Sequence, residues 1–282
     1  MASNMTRRVA VAAVGIPAAL GLVRLGGWPL VAALAAFAAL GALELFRLAA
    51  ARGVRPFTAL GAAAAAGVPF LIFGLVKGSL APLWSGFAAV AWLVTVMTAA
   101  VLRRAPDAGP LGAVTVTALA PAYTGLIGFI LLFRHGAVTA PWAATWLVFL
   151  PLVTVWICDS VAMAAGSAIG GPKFAPVVSP KKTWSGTIAG SLAGAAVAPL
   201  FGMLFLRPAG VALDPGLAAL FGFVVASVGQ VGDLAESLFK REAGVKDSGG
   251  VFPGHGGVLD RFDSLYWALP TGAALLTAFG VL

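Results

Sequence analysis

Apolar residues run through this chain in long blocks, and the polar residues gather between them. At about 20 apolar residues per membrane crossing, nine segments are predicted, approximately 9–26, 28–49, 57–76, 80–102, 111–133, 142–165, 184–206, 214–231 and 264–282. The joints carry Pro, Gly and charge, as in Arg52-Gly53-Val54-Arg55-Pro56, Arg103-Arg104-Ala105-Pro106 and Gly170-Gly171-Pro172-Lys173. Such residues interrupt helices. The expected fold is therefore all-α, a polytopic integral membrane protein of about nine transmembrane helices. About five spans fall in residues 1–140 and about four in residues 141–282, the latter block owning the loops 166–183 and 232–263. The first residues, Met-Ala-Ser-Asn-Met-Thr-Arg-Arg and the apolar run behind them, have the regions of a signal peptide. With many spans following, they are read as an uncleaved signal anchor.

Charge gives the layers a direction. With the N-terminus in the cytoplasm, fourteen of the eighteen Lys and Arg residues fall on the cytoplasmic side, leaving Arg24, Lys77, Arg134 and Arg207 opposite. Basic residues accumulate on the cytoplasmic side of membrane proteins. Both long loops then face the cytoplasm, the C-terminus faces outward, and the protein is expected in the cell's inner (plasma) membrane. The net charge of +8 is accounted for by this topology, so no nucleic-acid partner is expected. Hydrophobic residues make up 60% and charged residues 10%, against roughly 25% charged in soluble domains. The 36 glycines and alanine runs such as Ala62–Ala66 suit close helix packing where lipid supplies no hydrophobic drive. The single cysteine, Cys158, excludes an internal disulfide and multi-cysteine metal sites.

A chain so poor in charge places six of its ten acids in residues 232–263: Asp233, Glu236, Glu242, Asp247, Asp260 and Asp263. Lys240, Arg241, Lys246, Arg261 and His255 lie among them. Carboxylates hold Mg²⁺ and basic side chains hold phosphate oxygens, so the mixture points to metal and phosphate together. Asp233, Ser237 and Lys240 are spaced to share one helix face, either as metal ligand, phosphate partner and phosphate clamp or as an ordinary ion-paired helix end. Asp260 and Asp263, one turn apart, either share a divalent ion or cap the last helix. The stretches Lys246-Asp247-Ser248-Gly249-Gly250 and Pro253-Gly254-His255-Gly256-Gly257 are either loops whose amides approach anionic oxygens or plain surface loops. Ser179-Pro180-Lys181-Lys182-Thr183-Trp184 lacks the spacing of a nucleotide P-loop; its lysines either anchor topology or bind phosphate. Asp159 and Glu44 fall inside apolar runs, where carboxylates are costly and are functional candidates. Arg47, one turn from Glu44, offers a local ion pair.

Together, Asp260-Arg261-Phe262-Asp263, His255-Gly256-Gly257 and Ser237-Leu238-Phe239-Lys240-Arg241 with Lys246-Asp247 resemble the C-terminal signature of the phosphatidate cytidylyltransferases, the CDP-diacylglycerol synthases. Ser179-Pro-Lys-Lys-Thr-Trp resembles that family's second motif. Ser185 stands where the family usually has Glu, Cys158-Asp159-Ser160 where it has Asn-Asp-Thr, and Ser167 where an Arg is common.

The resemblance implies transfer of a cytidylyl group from CTP to phosphatidate, with CTP, phosphatidate and membrane lipids as partners and a homodimer among the assemblies allowed. It implies Mg²⁺, as two ions, on Asp233, Asp260 and Asp263, with Asp159 as a weaker ligand. Asp233, Lys240, Asp247 and Asp260 are expected to be catalytic, at the cytosolic face. Ser179, Lys181, Lys182, Thr183, Ser237, Arg241, Lys246, His255 and Arg261 are expected to bind substrate. The competing expectations are a CTP-dependent lipid-alcohol kinase and a non-enzymatic transporter or scaffold for anionic lipids. A transporter would place its polar groups near the bilayer midplane, and here most lie in one loop.

Overall fold

The structure is a computed structural model that describes residues 15–251 and 256–282. Among them are α1 (Gly15–Leu25), α2 (Gly27–Ala50), α3 (Thr58–Val76), α4 (Leu83–Arg103), α5 (Pro110–Thr124), α6 (Ile130–His135), α7 (Pro141–Ile169), α8 (Trp184–Phe201), α9 (Pro215–Glu242) and α10 (Leu259–Ala278). Seven helical segments are long and apolar enough to cross a membrane, with α5 and α6 joined as one and α8 extended to Leu206. They fall on seven of the nine expected spans.

The other two expected spans differ. The signal-anchor segment lies partly outside the described residues, as do Arg7 and Arg8, and its described part is the short α1. The final segment is helical, but α10 opens on Asp260, Arg261 and Asp263 and does not reach the apolar length of the other seven.

Packing divides the chain into two compact units. One comprises Met1–Leu131 and Phe239–Arg261, the other Leu132–Leu238 and Phe262–Leu282. In the first unit, α2 buries Leu30, Val31, Leu34, Ala35, Ala38, Ala42, Leu45 and Phe46, the three-to-four spacing of one helix face. That face meets α3 and α5. Gly61 admits the Phe46 ring beside it, and Ala65 is fully buried. The alanine run is thus a packing surface, as its composition led one to expect. Thr117 of α5 accepts the Phe57 N–H at 2.9 Å and thereby satisfies an amide at the start of α3.

In the second unit, α7 and α8 make the most extensive helix pair. Small residues set their distance. Gly186 lies against Gly166, and Gly190 against Ala162 and Cys158. Gly194 of α8 in turn meets Gly222 and Ala226 of α9. Polar links reinforce the α8–α9 seam: Gln230 donates to Thr187 O at 3.2 Å and to Ser191 Oγ at 3.1 Å, and Ser227 donates to Ser191 at 2.9 Å. Such links between membrane helices contribute roughly 0.6–2 kcal/mol each.

Three features extend the sequence expectation. Helix α7 runs on to Ile169 and α9 to Glu242, so the charged end of α9 is helical. Between α7 and α8 the expected loop contains an antiparallel hairpin, β1 (Lys173–Ala175) and β2 (Ser179–Thr183), in register Lys173↔Thr183 and Ala175↔Ser179. Pro180 lacks an N–H to donate, and a two-stranded hairpin, being all edge, tolerates that.

Candidate active site

In the first unit the polar residues of the signature close around Asp260. Lys240 Nζ donates to Asp260 Oδ1 at 2.7 Å, with side-chain exposures of 10% and 6%. Asp260 Oδ2 accepts from Gly257 N at 2.8 Å and from Ser248 N at 2.9 Å, and Ser248 Oγ lies 2.9 Å away, its single proton shared between Asp260 and Glu44. Gly256 sits at φ 81°, a left-handed conformation open to glycine. A side chain there would also run onto Asp260, since its Cβ would fall 2.6 Å from Oδ2. Burial by itself pushes the Asp260 carboxyl up, but the Lys240 ammonium and the Gly257 and Ser248 amides outweigh it and hold the carboxyl at about 2, below its usual 3.8. Asp260 is therefore an anion over the whole physiological range.

Around this core lie exposed charges. Lys246, Asp247 and Arg261 face outward. Arg241 is exposed and donates to Val245 O at 3.2 Å, bracing the turn after α9. His255 lies outside the described residues.

The second unit holds a separate ion pair. Lys182 Nζ lies 2.7 Å from Asp233 Oδ2. Ser237 Oγ donates to Asp233 Oδ1 at 3.3 Å, as the helical spacing of the two residues leads one to expect. The column Asp233–Ser237–Lys240 is thus helical throughout, and Lys240 is bonded to Asp260. Asp159 is exposed on α7 and interacts electrostatically with Asp233 and Lys182. Thr183 is 3% exposed, and its hydroxyl accepts the Gly186 N–H at 3.2 Å. It therefore acts as the N-cap of α8. Ser185 donates to Gly170 O and lies 3.0 Å from Thr183 Oγ1, tying the hairpin to both flanking helices. Lys181 is exposed, and Ser179 is half-buried opposite Ala175.

The donor set can be weighed for Mg²⁺. Among the described residues no three His, Cys, Asp or Glu side chains assemble into a metal cage. Mg²⁺ needs only one or two protein carboxylates when substrate phosphates and waters complete its shell. Asp159 and Asp233, one exposed and both in each other's field, fit that demand. Asp260 is otherwise placed, with Lys240, two backbone amides and the shared Ser248 hydroxyl on its two oxygens. Asp263 Oδ1 accepts the neighbouring Ser264 N–H at 2.6 Å.

Two residues at the Asp260 cluster escaped the sequence reading. Ser248 had no signal beyond its glycine neighbours. Glu44 did carry one, as a carboxylate inside an apolar run, but the ion pair expected with Arg47 is not what occupies it. Its oxygens accept from Ser248 Oγ, Val258 N and Leu259 N at 2.9–3.0 Å, while Arg47 is exposed. Backbone amides fixed in direction outcompete a solvent-facing guanidinium.

Comparison with known proteins agrees with these motifs. The cytidylyltransferase family matches residues 6–279. A phosphatidate cytidylyltransferase of Brucella abortus is 49% identical over 142 residues, which is 50% of this chain and 49% of that protein. The Pseudomonas aeruginosa protein of that name is 45% identical over 137 residues, 49% of each chain. That of Haemophilus influenzae is 43% identical over 135 residues, 46% of this chain and 45% of its own. The chain spans about half the length of the curated relatives it matches. With nearly its whole length matched, the chain belongs to the cytidylyltransferase family.

Proposed function

We propose that this protein transfers the cytidylyl group of CTP to phosphatidate, forming CDP-diacylglycerol and pyrophosphate at the cytosolic face of the inner membrane. The observation that carries this is the similarity, at 42–49% identity, to proteins named phosphatidate cytidylyltransferase. The residues suit the chemistry. A phosphatidate oxygen attacks the α-phosphorus of CTP, a new P–O bond forms, and the bond to pyrophosphate breaks. The nucleophile is already an anion near pH 7, so no dedicated general base is needed. Catalysis of such a step rests on positioning and charge neutralisation.

Asp233 and Asp159 are the carboxylates best placed to hold Mg²⁺, which when bound would neutralise the triphosphate and the departing pyrophosphate. Asp260 and Asp263 are the further candidates for a second ion, Asp260 only if Lys240 gives way at Oδ1. Lys181, Lys182, Lys240, Arg241, Lys246 and Arg261 supply cations for triphosphate and lipid phosphate. Ser179, Thr183 and Ser237 supply hydroxyls, Asp247 an exposed carboxylate, and His255 a further donor. Nine spans, a cytoplasmic N-terminus, an outward C-terminus and a homodimer complete the proposal.

The test is incubation of purified protein with CTP, phosphatidate and Mg²⁺. CDP-diacylglycerol and pyrophosphate in equal amounts are the expected products. CDP and a phosphorylated lipid from diacylglycerol would instead identify a lipid kinase. Binding of anionic lipid with no turnover would identify a non-enzymatic lipid binder.

A further inference from the structure

Glu44 is 1% exposed in α2, yet it bonds residues more than two hundred positions away. Its Oε1 accepts the Val258 N–H at 3.0 Å and its Oε2 the Leu259 N–H at 2.9 Å. These are orphan amides at the start of α10, which ordinarily take a cap from the residue just before the helix. Here an N-terminal membrane helix supplies it. Oε2 also accepts from Ser248 Oγ at 2.9 Å, and that hydroxyl lies 2.9 Å from Asp260 Oδ2. The one Ser248 hydroxyl proton lies between the two carboxylates, so Glu44 is linked through Ser248 to Asp260 and thence to Lys240. Gly249 and Gly257 pack directly on the Glu44 carboxylate, with no room for a Cβ.

We infer that Glu44 is a positioning residue that holds Ser248–Gly249 and Gly257–Leu259, the described ends of the glycine-rich stretch, and through Ser248 sets Asp260 against Lys240. The reason is entropic. Ordering each backbone residue costs roughly 1–2 kcal/mol, and glycines bring no side chains to offset that cost. One carboxylate that gathers three donors from both ends of the loop does so. This rests on the cytidylyl-transfer proposal only in assigning the loop to the nucleotide. In functional terms, the N-terminal helices would then take part in nucleotide binding through Glu44, not merely anchor the protein.

The experiment compares full-length wild type, Glu44→Gln and Ser248→Ala in detergent by amide hydrogen exchange and by steady-state kinetics in CTP. In Glu44→Gln an NH₂ replaces one acceptor and faces an N–H donor. Expected is exchange at Val258 and Leu259 about tenfold faster, with α7 and α8 unchanged, since such amides report local opening. Expected too is a KM for CTP raised about tenfold with a smaller change in kcat, the mark of lost ground-state binding. Ser248→Ala, which cuts only the link between the carboxylates, should raise KM less. Wild-type exchange at both amides in Glu44→Gln, or a fall in kcat alone, overturns the inference. If Glu44→Gln does not fold, an unchanged KM in Ser248→Ala overturns it. If wild type makes no CDP-diacylglycerol, the reaction proposal fails, and the exchange data alone decide the role of Glu44.

Discussion

The ammonium of Lys182 lies 2.7 Å from the Asp233 carboxylate, joining the last strand of a short hairpin to the charged end of α9. Both side chains keep part of their surface open, at 23% and 29% exposure. The pair is half-buried, with the Lys182 ammonium nitrogen itself closed to solvent, so its contribution falls between the roughly 0–1 kcal/mol of a surface pair and the roughly 3–5 kcal/mol lost on breaking a buried one. Under the proposed reaction its use would be chemical, as a carboxylate and a cation side by side for a metal-bound triphosphate.

Asp233→Asn should abolish CDP-diacylglycerol formation while the melting temperature in detergent falls less than in Asp260→Asn, whose pair is the more deeply buried. Lys182→Ala should lower kcat/KM by more than about tenfold, a loss of over 1.4 kcal/mol in transition-state stabilisation. Turnover of Asp233→Asn within about threefold of wild type would remove it from the metal site, because a lost ligand costs far more than that.

Asp260 should behave differently, since it is built into the fold. Asp260→Asn should lose activity and also stability, because the nearly buried Lys240 loses the Asp260 carboxylate. Breaking a buried pair from one side commonly costs about 3–5 kcal/mol. Thermal unfolding of the variant checks this. An unchanged melting temperature would show that Lys240 finds another partner.

The same residue sets an acid limit. Its carboxyl is held at about 2 in the folded protein against an ordinary 3.8. A lowered folded value stabilises at every pH above the unfolded one, and the benefit disappears as pH falls through the folded one. The shift corresponds to about 2 kcal/mol. The stability gap between wild type and Asp260→Asn should therefore be constant above pH 4 and should narrow between about pH 4 and pH 2. A gap independent of pH across that window would refute the linkage.

Ser185 stands where the resemblance leads one to expect Glu, and its bonds to Gly170 and Thr183 show what serine does there. Ser185→Glu should change activity only modestly, within about tenfold, and should lower the melting temperature by the loss of bonds each contributing about 1 kcal/mol. A wild-type chain that binds CTP without turnover, beside an active Ser185→Glu, would reverse the reaction proposal.

Topology is best tested by cysteine labelling in a Cys158→Ser background. Gly249 is a poor position, because a Cβ there collides with Glu44. Gly250 is exposed and has open space. A cysteine at Gly250 should be modified from the cytoplasmic side only, and labelling from outside alone would invert the topology.

Much of this architecture was legible because membrane helices write themselves as apolar length. Seven of the expected segments match helices for that reason, and the spacing of Asp233 and Ser237 correctly marked one face of α9. The hairpin was not legible. Its strands have three and five residues and carry lysines and a proline, so no alternation of apolar and polar positions announces them. The last turn of α7 was missed because Gly166 and Ser167 interrupt its hydropathy, whereas the end of α9, equally poor in apolar residues, was legible only from the spacing of its charges. Glu44 was noticed but misassigned, since its partners are backbone amides, and amides leave no trace in side-chain identity.

The glycine seam of the second unit has a consequence for remote mutations. A methyl group at Gly190 would fall 2.9 Å from Cys158 O and from Ala162 Cβ, and backbone does not step aside as a flexible side chain does. The cheapest response is for α8 to pivot. Thr183, which caps α8, directly follows Lys182, so the pivot is transmitted to the lysine that faces Asp233. A single added carbon, uncharged and outside the polar cluster, would thus act as a lever on it. Loss of function by such a mutation would look chemical in an assay, although its origin is purely steric.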